Sequence, residues 1–168
     1  MNIFGTDGVR GRANEEPMTA TTLTKFGIVV GSLFLPETSR GKVIIGKDTR
    51  LSGYLIESAI TAGLASAGMD SILVGPMPTP AISMLTKDTN ADLGIMISAS
   101  HNPFEDNGIK LFGPDGYKLT DEMESKIENM MNQNCSTLLA SPKNLGRAFR
   151  LEEADRKYIE YLKKTMPK

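Results

Sequence analysis

Gly94-Ile95-Met96-Ile97-Ser98-Ala99-Ser100-His101-Asn102-Pro103 is an apolar, strand-like run that ends abruptly in a polar turn. A strand here delivers a nucleophile-like hydroxyl to a loop. In open α/β sheets, ligands bind in the crevice outside the carboxyl ends of the strands, so Ser100 stands where chemistry is expected. Asn102-Pro103 supports the loop, because the residue before a proline is pushed out of the helical region and Asn favours turns.

Outward from this stretch, Lys42 to Gly46 and Ser71 to Gly75 are further short β-branched runs, and with Leu93 to Ser98 they read as strands buried on both faces. Helical patterns lie between them. Thr19 to Phe34 carries apolar residues at Leu23, Phe26 and Val30, and Tyr54 to Ala67 ends at Gly68, suited to a helix C-terminus. Thr79 to Leu85 reads as a shorter helix, capped by Thr79 with Pro80 in its first turn. This alternation predicts an α/β fold: a three-layer α/β/α domain with a mostly parallel mixed sheet. An antiparallel edge element is expected from Gly108 to Phe112 and Tyr117 to Leu119, which flank the turn Gly113-Pro114-Asp115-Gly116. Helices are then predicted from Thr120 to about Met131, capped by Thr120 or Asp121, and from Leu151 to Met166. Asn132 to Lys143 loses periodicity and reads as a surface connection.

Composition narrows the function. The 168 residues are 40% hydrophobic and 23% charged, which suits one domain with a sizeable core. The formal net charge of −1, with both signs interspersed, leaves no footprint for nucleic acid or a membrane surface. The single cysteine, Cys135, has no internal disulfide partner and no metal-ligand spacing, so it reads as an incidental thiol in a reducing compartment. With no signal-peptide pattern after Met1 and no long apolar run, a cytoplasmic location is expected.

Four motifs carry a resemblance: Ser98-Ala99-Ser100-His101-Asn102-Pro103 with Asp106-Asn107-Gly108-Ile109-Lys110; Phe4-Gly5-Thr6-Asp7-Gly8-Val9-Arg10-Gly11; Gly46-Lys47-Asp48-Thr49-Arg50-Leu51-Ser52-Gly53; and Gly75-Pro76-Met77-Pro78-Thr79-Pro80. In order and spacing they resemble the α-D-phosphohexomutases, and the first two together resemble the phosphoglucosamine mutase branch. The resemblance implies that Ser100, not Ser98, is phosphorylated and passes its phosphoryl group to and from a sugar phosphate. It implies glucosamine 6-phosphate and glucosamine 1-phosphate as the interconverted pair, a bisphosphate intermediate, and a product that feeds amino-sugar nucleotides for the cell wall. Residues 1–150 would be the phosphoserine domain and 151–168 a helix leading to a second domain. Alone, the chain is expected to be inactive or nearly so. A phosphomannomutase or phosphoglucomutase domain, or a non-catalytic phosphosugar-binding module, are the alternatives.

The side chains of these motifs suit such chemistry. A phosphoserine carries about −1.5 to −2 charges and needs cationic partners. Arg10, Lys110 and His101 are the candidates. Arg10 reads as part of a loop punctuated by Gly5, Gly8 and Gly11, where a guanidinium can grip phosphate bidentately. Lys110 is the candidate general acid or base, its alternative being a solvated lysine on a strand face. His101 is the only histidine; its side chain is expected on a different vector from Ser100, supporting the loop or touching phosphate rather than forming a hydrolase dyad. The absence of a G-x-S-x-G elbow agrees. Asn102 and Arg50 are further candidates for substrate contact, although Arg50 with Asp48 also reads as a structural ion pair.

Asp7, Asp106 and Asn107 form no three-carboxylate cluster with short spacing. The resemblance implies Mg²⁺ held by three aspartates of a D-x-D-x-D segment in a second domain together with one phosphoserine oxygen, so Ser100 is the one ligand expected here. It also implies a sugar 1,6-bisphosphate activator. Expected partners are a small-molecule sugar phosphate, the remaining mutase domains and, as a candidate, a second copy of the chain, with no nucleic acid and no membrane.

Overall fold

Val43, Ile44 and Ile45 are fully buried because the strand that carries them is covered on both faces. In the computed structural model, which describes residues 3–37 and 40–167, this strand is β3 (Lys42–Lys47) of one mixed sheet. β1 (Phe4–Gly5), β2 (Gly8–Arg12), β4 (Asp70–Pro76), β5 (Leu93–Ile97), β6 (Asp106–Phe112) and β7 (Ala148–Arg150) complete it in the order β1-β2-β6-β5-β3-β4-β7. β3 runs parallel to β4 and β5, and β7 parallel to β4. On the other side β6 is antiparallel to β5, β2 to β6 and β1 to β2.

Two helical layers cover the sheet, so the three-layer expectation holds. α1 (Ala20–Phe34), α2 (Ser52–Ala67) and α4 (Asp121–Met131) lie on one face, where Phe26, Ile60 and Ile127 pack with Val43, Ile45, Ile95 and Ile109. α3 (Thr79–Asp88) and α5 (Ala154–Thr165) lie on the other, where Ile82, Leu85 and Ala154 pack with Ile44, Val74 and Met96. α1 and α2 cross closely at Gly27 and Gly63. A Cβ at Gly63 would strike the Thr24 carbonyl and sit 2.8 Å from Gly27 Cα. No helix among the described residues is long and apolar enough to cross a membrane.

Several helix ends follow their sequence signals. Thr19 and Thr120 cap α1 and α4 by accepting from the Thr22 and Met123 amides, and Gly68 closes α2 at φ 97°. Others differ. α3 begins at Thr79 itself, with Pro78 in the cap position and no side-chain cap, because the extended Pro78 already directs the chain into a first turn that Pro80 favours. Tyr117 to Leu119 forms a single bridge, Lys118 to Phe112, rather than a strand, and the antiparallel part of the sheet is instead built by β5, β6, β2 and β1. Arg10, expected in a loop, lies on β2 opposite Gly108. The glycines that suggested a loop serve close approach: a Cβ at Gly8 would collide with the Ile109 carbonyl, and one at Gly108 would lie 2.9 Å from Arg10 Nη1.

Candidate active site

β5 ends at Ile97, and the chain turns sharply through residues 98–105 before entering β6. The turn is tied back to the sheet. The Ser98 amide donates to the Gly108 carbonyl (2.9 Å), the Asn102 amide to the Ala99 carbonyl (3.1 Å) and the Asp106 amide to the Pro103 carbonyl (3.1 Å). Ser98 is buried and its Oγ accepts from the Ser100 amide at 3.0 Å, so the first serine holds the second. Ser100 itself is exposed and adopts φ 57°, a left-handed conformation that is uncommon for a non-glycine residue, costs about 1–3 kcal/mol and persists only where its surroundings enforce it. Such strain clusters at functional sites.

His101 Nδ1 lies 3.3 Å from Ser100 Oγ, closer than the expected divergence of neighbouring side chains. The left-handed turn at Ser100 brings the two together. His101 is exposed, and among the described residues no carboxylate bonds its ring, so the third member that would orient a hydrolase base is not supplied. Asn102 is exposed and its Nδ2 donates to Asp106 Oδ2 at 3.1 Å, which closes the loop on itself.

Two cations stand on the antiparallel side of the loop. Arg10 extends from β2 across Gly108, whose missing side chain leaves room for it beside the Ser98 carbonyl. Lys110 lies two residues further along β6, opposite Met96. Asp7, in the turn between β1 and β2, bridges the pair, 2.7 Å from Arg10 Nη2 and 3.0 Å from Lys110 Nζ. The hydrogen bond from Lys110 is the main cause that holds the Asp7 carboxyl below the usual carboxylate range; burial opposes it, and the Lys110 charge and the pairing with Arg10 add to the lowering. Asp7 is the residue that sequence reasoning missed in this role; its signal was its place inside the matched Phe4 to Gly11 segment, two residues past a glycine and three before Arg10.

Arg50 sits on the opposite side. Its Nε donates to the Asp106 carbonyl (3.2 Å), Nη2 to the carbonyls of Ser100 (3.2 Å) and Asn102 (2.8 Å), and Nη1 to Asp48 Oδ2 (3.3 Å). Beneath it, Ser52 Oγ donates to the buried Asn107 Oδ1 at 2.5 Å, which ties the start of α2 to β6. Lys47, at the end of β3, pairs with Glu57 of α2 in the interior, with the Tyr54 ring 4.0 Å from its Nζ.

Ser100 stands on open surface. Grooves of about 700 and 550 Å³ lie elsewhere, the first between α3, α5 and Tyr117, the second between Asn14, Leu51 and Phe104, and neither is lined by Ser100, Arg10 or Lys110. Among the described residues no three His, Cys, Asp or Glu side chains converge as a metal site. The arrangement suits anion binding on a shelf: an exposed hydroxyl on a fixed turn, with a guanidinium on β2 and an ammonium on β6 sharing one exposed carboxylate.

Comparison with known proteins identifies the family of this fold. Residues 1–137 match the family described as phosphoglucomutase/phosphomannomutase, alpha/beta/alpha domain I. A phosphoglucosamine mutase of Granulibacter bethesdensis is 61% identical over 99% of this chain and 36% of its own length, and one of Rhodospirillum rubrum is 55% identical over 99% and 37%. The chain thus spans little more than a third of the length of the curated relatives it matches. Among solved structures, a putative phosphomannomutase from Thermus thermophilus superposes with a TM-score of 0.81 at 30% identity, over 99% of this chain and 37% of that one. A phosphoglucomutase/phosphomannomutase family protein from Burkholderia thailandensis shares the fold with a TM-score of 0.79 at 23% identity, over 98% and 36%.

Proposed function

Because this chain belongs to the phosphoglucomutase/phosphomannomutase family and matches its α/β/α domain I, we propose that it carries the phosphoserine of a phosphoglucosamine mutase, with Ser100 as the residue phosphorylated. The observation that carries the proposal is the exposed, left-handed Ser100 on a turn tied to β6, the strand that carries Lys110 and pairs with the strand of Arg10. The names of the relatives, at 55 to 61% identity, favour glucosamine phosphate as the sugar.

In the first half-reaction, the Oγ–P bond of phosphorylated Ser100 breaks as the C1 hydroxyl oxygen of glucosamine 6-phosphate bonds to phosphorus, giving the 1,6-bisphosphate. The bisphosphate turns around and Ser100 Oγ takes its 6-phosphoryl group, releasing glucosamine 1-phosphate. Lys110 exchanges the proton between the sugar hydroxyl and Ser100 Oγ, while Arg10 carries part of the charge on the moving phosphoryl group. Phosphate oxygens displace Asp7 from both cations, and the Asp7 pairs reform when phosphate leaves. The negative charge develops mainly on phosphoryl oxygens, which is why fixed cations serve here in place of a histidine base.

Mg²⁺ would add Lewis-acid stabilisation of the transferring group. The described residues do not form a site for it; from this chain its ligand would be a phosphate oxygen on Ser100. His101 and Asn102 shape the loop on which that phosphate stands.

The test is the intact mass of the chain before and after incubation with glucosamine 1,6-bisphosphate, with the site mapped by fragmentation. One phosphate on Ser100, lost in the Ser100→Ala variant, is the expected result. Binding of the bisphosphate with no phosphate ever transferred would overturn it in favour of a binding module.

A further inference from the structure

We propose that Arg50 is a positioning residue that sets the conformation of the Ser100 turn and makes no contact with substrate. Of the five N–H donors of its guanidinium, Nε serves the Asp106 carbonyl, Nη2 serves the carbonyls of Ser100 and Asn102, and Nη1 serves Asp48. The side chain is 10% exposed, so no open fork remains for a phosphate. Asp48 completes the holder: its Oδ1 accepts from the Arg50 amide at 3.0 Å, and its own amide donates to the Ile97 carbonyl at 2.9 Å. Arg50 is thereby anchored to the last residue of β5 while it grips the turn that follows.

The consequence falls on Ser100. In a trans peptide the C=O and N–H point in opposite directions. Drawing the Ser100 carbonyl toward Arg50 turns the His101 amide away from it and fixes the Cα–C side of a residue whose φ is 57°. The Ser98 hydroxyl fixes the same residue from its amide side. One planar fork with three carbonyls, two in the turn and one where β6 begins, is a geometry that a lysine cannot reproduce from a single ammonium. The strained turn is therefore enforced by a cation that does not itself meet the phosphate.

The effect on phosphoryl transfer rests on the assignment of Ser100 above, whereas the effect on the turn does not, and the experiment separates them. Arg50→Lys and Arg50→Ala are compared with the unmodified chain in three readouts: hydrogen exchange of peptides covering residues 98–107, affinity for glucosamine 1,6-bisphosphate, and the rate of phosphate loading on Ser100. The expected result for both variants is exchange in that segment faster by about tenfold or more, with the β3 and β5 peptides unchanged. Loading should slow by about tenfold or more while affinity holds, because a misplaced acceptor costs rate rather than binding. Failure of the lysine variant to rescue separates geometry from charge. Unaltered exchange, or affinity that falls in step with loading, would overturn the proposal, the latter by making Arg50 a phosphate contact. If the unmodified chain never loads, faster exchange in the variants still upholds the positioning role, and the assignment of Ser100 fails by itself.

Discussion

Lys47 and Lys110 each pair with a carboxylate, yet the two pairs differ in nearly every physical respect. Lys47 is 6% exposed, its partner Glu57 is 9% exposed, and the Tyr54 ring covers the ammonium at 4.0 Å. Lys110 meets Asp7, whose side chain is 52% exposed and is shared with Arg10. In the first pair, both charges have left water and each depends on the other. In the second, water and other anions compete for the same cations, so the pairing is weak and exchangeable. One chain thus uses the same ion-pair chemistry to fasten α2 to β3 and to hold two cations on an exposed carboxylate that other anions can replace.

The contrast can be broken at its strongest point first. Lys47→Met strands the Glu57 carboxylate in the interior and is expected to cost about 3–5 kcal/mol in urea unfolding, whereas Lys47→Met with Glu57→Leu recovers most of that loss. Equal losses in the single and double variants would show that packing, not charge, holds the two elements. Asp7→Asn is expected to tighten inorganic phosphate binding by roughly fivefold, about 1 kcal/mol, since a surface pair no longer has to be opened. Weaker binding in calorimetric titration would mean that Asp7 orients the cations rather than competing for them. Tyr54→Leu removes the ring over Lys47 and, because that ring is itself 62% exposed, should lower stability by about 0.5–1 kcal/mol.

The smallest effect is the dependence on pH. The folded-state pKa of Asp7 is depressed, so its stabilisation is complete above the unfolded carboxylate range and is lost as pH falls through the folded value. The stability difference between the unmodified chain and Asp7→Asn should stay flat from about pH 5 upward and vanish in strong acid. A difference that disappears near neutrality would tie the pairing to another titrating group.

The same contrast marks what could be read from the sequence. The strand runs at Val43 to Ile45 and Ile95 to Ile97, the Gly68 stop and the serine turn all rest on neighbours in the chain, and all were legible. β7 was not, because Ala148-Phe149-Arg150 is short and exposed and pairs only once β4 is in place. β1 and β2 were hidden by glycines that suggest a loop to local reasoning but permit close strand approach in the sheet. Ser100, Lys110 and Arg10 emerged from motifs. The carboxylate that bridges the two cations, and the carbonyls gathered by Arg50, depend on residues about fifty or a hundred positions apart meeting across strand ends. Hydrophobic periodicity carries no signal for such meetings.

The sheet ends on one side in the two residues of β1 and on the other in the three of β7. An open strand edge is a template on which another polypeptide can add, and natural proteins blunt that hazard with very short outer strands. Among the described residues, seven strands terminate in the two shortest, Arg150 lies on one of them, and the long apolar strands β3 and β5 are paired on both sides. The architecture that exposes Ser100 at one end of the sheet therefore offers little purchase for self-propagating aggregation along its flanks.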